Sequence, residues 1–326
     1  MDHSFPADPK HLAQLLRAPS SGHLGGIPHL RPLIRIAVPT GAAGTASGNQ
    51  VSAVRWARLL REIGYRTKVQ EGWDGKPADG LVALHARKNA RAVRAFRATY
   101  PDRPLIVVLT GTDVYRDLRT HASARRALDL ADLIVVLQPQ AVDQVPLALR
   151  HRTHVVYQSA QPLKPVAAVQ QRSFDVACVG HLRAVKDPMR AAMASRGLPA
   201  ASRIQVIHAG TALTEALEAR AMRETEQNSR YTWLGGVTTG SARRLIAKSR
   251  ILVVSSRMEG GANVIVEALI DRTPVLASRI SGNLGMLGGD YPGYFAFGDT
   301  AALTELLRQC EDDPSFLRSL QAHCEA

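Results

Sequence analysis

One stretch of the sequence, residues 251–280, carries the clearest sign of a parallel β-sheet with flanking helices. It starts with the apolar run Ile251–Val254, whose composition is typical of a strand buried on both faces. After a polar turn with two glycines, Asn263–Leu269 predicts a short helix with Asn263 as its N-cap. A second strand is predicted at Pro274–Ser278. Such strand, turn and helix units build doubly wound α/β sheets.

The same alternation of apolar runs and helical periods extends over most of the 326 residues. This length exceeds a single core of roughly 100–200 residues, so we expect two doubly wound, Rossmann-like domains. The expected boundaries are a flexible N-terminal extension at residues 1–29, a first domain at 30–160, a linker at 161–172 and a second domain at 173–326. We expect two C-terminal helices to pack back across the domain junction.

Composition narrows the class of protein. A hydrophobic content of 45% with 21% charged residues is typical of a soluble globular protein. No apolar run reaches the ~18–20 residues of a membrane span, and no signal-peptide core is evident, so we expect a cytoplasmic protein without stable membrane association. The cysteines Cys178, Cys310 and Cys324 have no metal-ligand spacing. We expect no disulfide, no metal and no cofactor.

The formal net charge of +13 indicates either an anionic binding partner or a surface that is simply rich in arginine. Only seven of the 41 basic residues are lysine, and the arginines are scattered along helical faces instead of clustered. Aromatic residues make up 5% of the chain and no nucleic-acid motif is present. The pattern favours small anions such as phosphates over nucleic acid, although a surface that is merely rich in arginine gives the same count.

Polar residues follow three successive strands of the first domain. Gly48 and Asn49 end the loop after the first strand, His85 follows a later strand, and Thr112 and Asp113 follow the next. The carboxyl ends of parallel strands share one sheet edge, where ligands bind. His85 could act as a base or an anion donor, or be a hydrogen-bonded strand end. Asp113 could orient an acceptor or cap a helix, and Gly48 could belong to a plain turn.

The second domain carries two further candidate groups. Arg183 and Lys186 lie three residues apart after the first strand of this domain, a spacing that can direct both cations at one diphosphate. Glu259 and Glu267 have seven residues between them and can face one crevice beside a helix N-terminus. No Asp-x-Asp triplet occurs, so we expect no metal held in that way and expect fixed cations to bind the anion instead. The alternative is a solvated basic turn.

The paired glutamates and the proline-led strand after them resemble the nucleotide-sugar signature of GT-B glycosyltransferases of family 4. The resemblance implies an α/β GT-B fold, in which two doubly wound Rossmann-like domains face a central cleft. It also implies that Glu259 with Gly260, Gly261 and Ala262 contacts the transferred sugar and pyrophosphate, and that Glu267 holds the ribose hydroxyls.

The turn that begins at Gly180 resembles the same family. Lys186 matches the family lysine, His181 occupies the usual arginine position, and Arg183 is interpreted as a displaced substitute. The loops that line the base pocket in this family contain Gly210 and Val237 here.

Four segments, LHARKNA, LTGTDVYRDL, GHLRAVKDP and SSRMEGGANVIVEAL, resemble the selenosugar-forming branch of the family. This resemblance implies a UDP-N-acetylglucosamine donor and a selenophosphate acceptor, with release of UDP and phosphate. The acceptor phosphate is then expected near Gly48, Asn49, His85, Thr112 and Asp113, and the catalytic residues are expected to be Arg183, Lys186, Glu259 and His85. Two alternatives stay open: a family 4 enzyme with a sugar or lipid acceptor, and a non-catalytic protein that binds nucleotide sugars or nucleic acid.

Overall fold

The computed structural model describes residues 31–41, 47–163 and 173–325. The chain divides into two compact units, Met1–Ser159 and Ala160–Ala326. The predicted N-terminal extension and most of the predicted linker lie outside the described residues. Gln161 and Leu163, at the start of the predicted linker, are bonded to side chains of the second unit.

The first unit contains a six-stranded sheet in the order β2-β1-β3-β4-β5-β6, and every pair is parallel. The interior strands are buried because both faces of their apolar runs are covered, whereas the edge strand β2 alternates between exposed and half-buried residues. The strands are β1 Leu33–Val38, β2 Arg66–Glu71, β3 Gly80–Leu84, β4 Leu105–Val108, β5 Leu133–Val136 and β6 Thr153–Val155.

Helices cover both faces of this sheet. On one face Trp56 and Leu60 of α1 pack on Val82, and on the other face Phe96 of α2 and Leu128 of α4 share a core cluster. The helices are α1 Gly48–Glu62, α2 Ala90–Thr99, α3 Leu118–Thr120 and α4 Ala122–Leu130, with a π-helical turn at Asp113–Asp117 and 3₁₀ turns at Pro139–Gln144 and Leu147–Arg152. This arrangement confirms the predicted doubly wound α/β unit.

The second unit repeats the architecture with a parallel sheet in the order β12-β11-β10-β7-β8-β9. Its strands are β7 Phe174–Val179, β8 Ile204–Ala209, β9 Tyr231–Trp233, β10 Ile251–Val254, β11 Val275–Ser278 and β12 Tyr294–Phe295. Its helices are α5 Arg190–Arg196, α6 Glu215–Gln227, α7 Thr239–Lys248, α8 Asn263–Ile270, α9 Ser281–Leu287, α10 Thr300–Asp312 and α11 Pro314–Glu325, with a 3₁₀ turn at Ala184–Lys186.

Two features of these helices bear on the predictions: the residue that caps α8 and the core to which α10 and α11 belong. The N-cap position of α8 is occupied by Ala262, which makes no side-chain cap bond, so the prediction that Asn263 caps this helix was wrong: Asn263 is already helical. Leu303 and Leu307 of α10 and Leu320 of α11 belong to the core of the second unit itself. None of the helices within the described ranges is both long enough and apolar enough to cross a membrane.

Each sheet has one point where the order of its strands reverses. From β1 the chain continues to β2 on one side and returns to β3 on the other; from β7 it runs to β8 and β9 on one side and returns to β10 on the other. Loops that leave neighbouring strands in opposite directions open a crevice between them, and ligands of open α/β sheets bind there. The two crevices therefore lie after strands β7 and β10 in the second sheet and after strands β1 and β3 in the first.

Candidate functional site

A concavity lies at the carboxyl ends of β7 and β10, where the second sheet reverses its strand order. The loops after both strands contribute to its wall, as does the first turn of α8. It is lined by Cys178, Val179, Gly180, His181, Lys186, Pro188, His208, Val253, Val254, Ser255, Ser256 and Val264.

A cation and a carboxylate meet at this concavity. Lys186 Nζ contacts Glu259 Oε1, and the Ser256 hydroxyl donates to the same oxygen at 2.5 Å. The Glu259 side chain is 9% exposed and that of Lys186 is 23% exposed, so the two charges are largely shielded from water. Such a pair is maintained by mutual neutralisation and hydrogen bonding. A ligand could replace one partner of this pair: an anionic group could bind Lys186, and a hydroxyl group could donate a hydrogen bond to Glu259.

Backbone and side-chain bonds fasten the two loops to each other. The Arg257 N–H donates to the Val185 carbonyl at 2.8 Å. The Ser255 hydroxyl reaches the carbonyls of Lys186 at 3.1 Å and Asp187 at 2.9 Å. Asp187 adopts a left-handed φ of 45°, which turns the chain out of the Ala184–Lys186 turn. The position of Lys186 is thus fixed by the loop that also carries Glu259.

Support for Glu259 also comes from α9. A Cβ added at Gly282 would lie 1.9 Å from the Glu259 carbonyl oxygen, so only glycine permits this close approach. The Ser278 hydroxyl donates to the Ser256 carbonyl at 2.5 Å, and the Asn283 amide donates to the Ser278 carbonyl at 2.8 Å. Sequence reasoning missed these supporting residues; the one available signal was the Ser-Gly-Asn sequence after a predicted strand.

The other residues of this unit that were predicted to bind the sugar donor differ in how far they are buried. Glu267 is buried on α8, and Gly260, Gly261 and Ala262 are buried in the turn before it. Arg183, by contrast, is exposed at the start of the 3₁₀ turn. The structure brings Lys186 and Glu259 into contact and leaves Arg183 on the solvent side.

Two glycine loops border the same edge. A Cβ at Gly210 would lie 1.9 Å from the Gly180 carbonyl oxygen, which makes the loops after β7 and β8 neighbours. The Trp233 indole donates to the Gly210 carbonyl at 2.8 Å. Val237, in the loop after β9, is 37% exposed. His181 is half-buried beside Gly180.

His208 on β8 lines the concavity and is buried, with Nδ1 3.0 Å from the Tyr231 hydroxyl. Burial lowers the pKa of His208 to about 4. As the pH falls, His208 therefore takes up a proton at about pH 6.5 in the unfolded chain but only at about pH 4 in the folded chain. The contribution of neutral His208 to the free energy of unfolding is thus fully present above about pH 6.5 and is lost as the pH falls towards 4. The shift corresponds to about 3 kcal/mol.

We therefore expect the free energy of unfolding in urea to fall between pH 7 and pH 4 by about 3 kcal/mol more for the wild type than for the His208→Gln variant. The matched control is His151→Gln, because His151 is exposed. If His208→Gln and wild type show the same pH dependence, His208 is not held neutral by burial.

In the first unit, His85 is the central predicted residue. It is 3% exposed and adopts a left-handed φ of 74°, a conformation that non-glycine residues adopt at an energetic cost. Its Nε2 lies 3.1 Å from the Thr112 hydroxyl. The loops after β3 and β4 thus bring His85 and Thr112 together, as the shared sheet edge predicted.

Asp113 is fully buried beside this pair. Its carboxylate accepts the backbone N–H groups of Thr110 at 2.9 Å, Gly111 at 2.8 Å and Ala86 at 3.0 Å. These bonds tie the loop after β4 to the loop after β3. The carboxylate of Asp113 therefore shapes the edge on which a ligand would rest.

Gly48 and Asn49 form the first turn of α1. The N-cap is Ser47, whose hydroxyl accepts the Gln50 N–H at 3.2 Å. Gly48 is exposed and Asn49 is half-buried. Residues 42–46 of the preceding loop lie outside the described residues. Across the described ranges, no group of three or more His, Cys, Asp or Glu side chains is arranged to hold a metal ion.

Comparison with known proteins gives both a sequence match and structural matches. The profile of the family Glycosyl transferases group 1 matches residues 161–324, just over half of the chain. No curated protein sequence matches the chain.

Among solved structures, Anabaena HepE in complex with UDP and glucose has a TM-score of 0.69 at 16% identity, over 90% of this chain and 94% of that one. Sucrose-phosphate synthase from Thermosynechococcus elongatus has a TM-score of 0.71 at 15% identity, over 90% and 93%. A UDP-forming α,α-trehalose-phosphate synthase from Burkholderia xenovorans has a TM-score of 0.60 at 14% identity, over 86% and 74%. At these identities the likeness establishes the fold, which is that of GT-B glycosyltransferases.

Proposed function

This chain belongs to the group 1 glycosyl transferases, and we propose from that premise that it joins the sugar of UDP-N-acetylglucosamine to selenophosphate. The observation that carries the proposal is the Lys186–Glu259 contact at the strand-order reversal of the second sheet. The Anabaena structure of the same fold contains UDP, which supports a UDP-sugar as the donor.

In the proposed donor complex, Lys186 exchanges its carboxylate partner for the diphosphate. The exposed Arg183 joins it from the solvent side, so that two fixed cations stabilise the negative charge that develops on the departing UDP. Glu259, released from Lys186, accepts hydrogen bonds from the sugar hydroxyls. The Ser256 hydroxyl donates to Glu259 in the structure and would keep this carboxylate oriented in the donor complex.

Other parts of the donor are held by the surrounding loops. Gly260, Gly261 and Ala262 let the backbone approach the pyrophosphate at the N-terminus of α8. Glu267 accepts bonds from the ribose hydroxyls. The base and its ribose lie along a wall that contains Gly180, His181, Gly210 and Val237.

The acceptor binds at the carboxyl edge of the first sheet, near Gly48, Asn49, His85, Thr112 and Asp113. The narrower sequence resemblance supports selenophosphate, and so does the basic character of the chain, because a site with fixed positive charge concentrates anionic substrates. Selenophosphate is already nucleophilic, so His85 is needed to align it and not to remove a proton.

The reaction proceeds in two balanced steps. A selenium lone pair forms the bond to the anomeric carbon while the bond from that carbon to the UDP oxygen breaks, and its electron pair leaves with UDP. Water then attacks phosphorus, the selenium–phosphorus bond breaks, and selenium takes a proton. The products are UDP, inorganic phosphate and a selenosugar. The tasks of the protein are alignment, stabilisation of the leaving group and exclusion of water from the first step.

The proposal is tested by mass spectrometry of reactions that contain the full chain, UDP-N-acetylglucosamine and freshly prepared selenophosphate, with a tube that lacks the acceptor. A selenium isotope pattern on a hexosamine, formed only in the complete tube, is the expected result. Equal release of UDP with and without selenophosphate would reject selenophosphate and direct the search to sugar or lipid acceptors. No turnover of any donor would favour binding without catalysis.

Replacing Glu267 with alanine is expected to lower kcat/KM for the donor about 10- to 100-fold, because hydrogen bonds from the ribose to a charged group are lost. The 2′-deoxyribose form of the donor should be a poor substrate for the wild type and should show little further loss with the variant. Glu226→Ala is the matched control, since Glu226 is an exposed glutamate on α6. An unchanged kcat/KM in Glu267→Ala would remove Glu267 from the site.

A further inference from the structure

The π-helical turn Asp113–Asp117 places two buried carboxylates beside one imidazole. Asp113 Oδ2 lies 3.8 Å from His85 Nδ1, and Asp117 Oδ2 lies 3.9 Å from His85 Nε2. Both carboxylates are at most 1% exposed. A π-helical turn is rare and often marks a functional site, because it changes which side chains point to the same side.

The two carboxylates differ in their partners. Both oxygens of Asp113 accept hydrogen bonds from backbone N–H groups, two at Oδ1 and one at Oδ2. Asp117 Oδ1 accepts a bond from Arg116 Nε at 2.9 Å and lies 3.6 Å from Arg87 Nη1. Asp117 Oδ2 is buried and has no hydrogen-bond partner among the described residues. A buried acceptor without a hydrogen-bond donor lowers the stability of the fold. Because this oxygen faces His85 Nε2, we looked to the imidazole for its function.

The contacts of His85 assign its tautomer. The Lys88 N–H donates to Nδ1 at 3.4 Å, which leaves Nδ1 without a proton in the neutral ring. Burial lowers the pKa of His85; the neighbouring Asp113 and Asp117 oppose this shift, and Lys88 adds to it. The neutral ring therefore carries its proton on Nε2, which faces the Thr112 hydroxyl at 3.1 Å and Asp117 Oδ2 at 3.9 Å.

This tautomer determines what Thr112 can do. If Nε2–H donates to the Thr112 oxygen, the hydroxyl hydrogen of Thr112 points away from the ring and can be donated to a ligand. Thr112 is half-buried and therefore accessible. The side chains of Arg87 and Arg116 beside Asp117 are 40% and 52% exposed, and they carry donors only. This edge of the sheet offers hydrogen-bond donors to a ligand with negatively charged oxygens.

We infer that Asp117 is a positioning residue: it holds His85 with Nε2–H towards Thr112, so that the Thr112 hydroxyl donates to an oxyanion of a phosphate-class acceptor. The inference rests on the proposed placement of the acceptor at the first sheet. Asp117 acts through His85 and does not touch the acceptor.

The first test reads the tautomer directly and needs no substrate. Nitrogen NMR of the full chain with labelled histidine should show His85 as the Nε2–H form in the wild type, with the signal assigned by its loss in His85→Asn. In Asp117→Asn the amide can donate to Nε2, so the Nδ1–H form should gain population. Asp143→Asn is the control, because the Asp143 side chain is 74% exposed. The same Nε2–H form in Asp117→Asn would overturn the inference.

The second test separates acceptor from donor. With selenophosphate, Asp117→Asn and Thr112→Val should each raise the acceptor KM about 10- to 100-fold and leave the donor KM within about twofold. The double variant should be no worse than Thr112→Val, since both changes remove the same interaction. Full additivity, or an unchanged acceptor KM, would overturn the inference.

Two outcomes keep this inference distinct from the proposed function. If selenophosphate is not turned over by the wild type, the proposed acceptor fails, and the NMR result alone decides for or against the role of Asp117. If Asp117→Asn does not fold, Thr112→Ser and Thr112→Val decide: retention of acceptor binding by serine alone supports a donating hydroxyl, and equal binding by both variants contradicts it.

Discussion

Lys186→Ala is expected to lower kcat about 10²- to 10³-fold, because the fixed cation nearest the proposed diphosphate is lost when charge develops on UDP. The variant also leaves the Glu259 carboxylate with the Ser256 hydroxyl and without its cation. Some loss of stability should therefore accompany the loss of activity. Steady-state rates measured well below the unfolding temperature of the variant, with circular dichroism to confirm folding, separate the two effects.

The matched control for this variant is Lys248→Ala, which removes an exposed lysine from α7 of the same unit. It should retain the wild-type kcat. Lys186→Arg keeps the charge but changes its geometry, so it should recover part of the loss. A folded Lys186→Ala protein with the wild-type kcat would show that Lys186 does not stabilise the leaving group.

Gly282→Ala is expected to damage both the fold and the activity. The new Cβ would lie 1.9 Å from the Glu259 carbonyl oxygen and 3.0 Å from the Glu259 Cβ, so the backbone that carries Glu259 must move. Overpacking of this kind costs about 1–3 kcal/mol or more. A displacement of about 1 Å in a substrate-contacting group costs about 10²-fold in rate.

Gly289→Ala is the control for this change, because a Cβ there has no atom within 4 Å. Thermal unfolding and donor kinetics of the two variants should be compared side by side. Gly282→Ala should unfold at a lower temperature and react more slowly, and Gly289→Ala should match the wild type. Wild-type kinetics in Gly282→Ala would mean that the position of Glu259 is unimportant for the reaction.

Much of the fold could be predicted because local patterns determine it. The apolar runs at β1, β3, β7 and β10 are buried on both faces, and the helical periods between them require parallel crossovers. The cap of α8 was not predictable in this way. Asn263 is a good capping residue, but Ala262 occupies the N-cap position and the helix already includes Asn263, so it begins one residue earlier than a cap at Asn263 requires.

The candidate site could be predicted only in part, because its contacts depend on strand order. The spacing of Glu259 and Glu267 indicates a shared crevice, but the Lys186–Glu259 contact joins residues 73 positions apart and exists because β10 lies beside β7. Gly282 is required by a close approach that no periodicity encodes. The role inferred for Asp117 depends on a π-helical turn, for which the sequence has no reliable signal.

We propose above all that the second unit binds the nucleoside diphosphate of a sugar donor beside Lys186. Calorimetric titration of UDP into the full chain tests it most directly. We expect one UDP site per chain in the wild type, affinity weaker by about tenfold or more in Lys186→Ala, and unchanged affinity in Lys248→Ala. Equal affinity of the wild type and a folded Lys186→Ala variant, or no binding of UDP by the wild type, would contradict it.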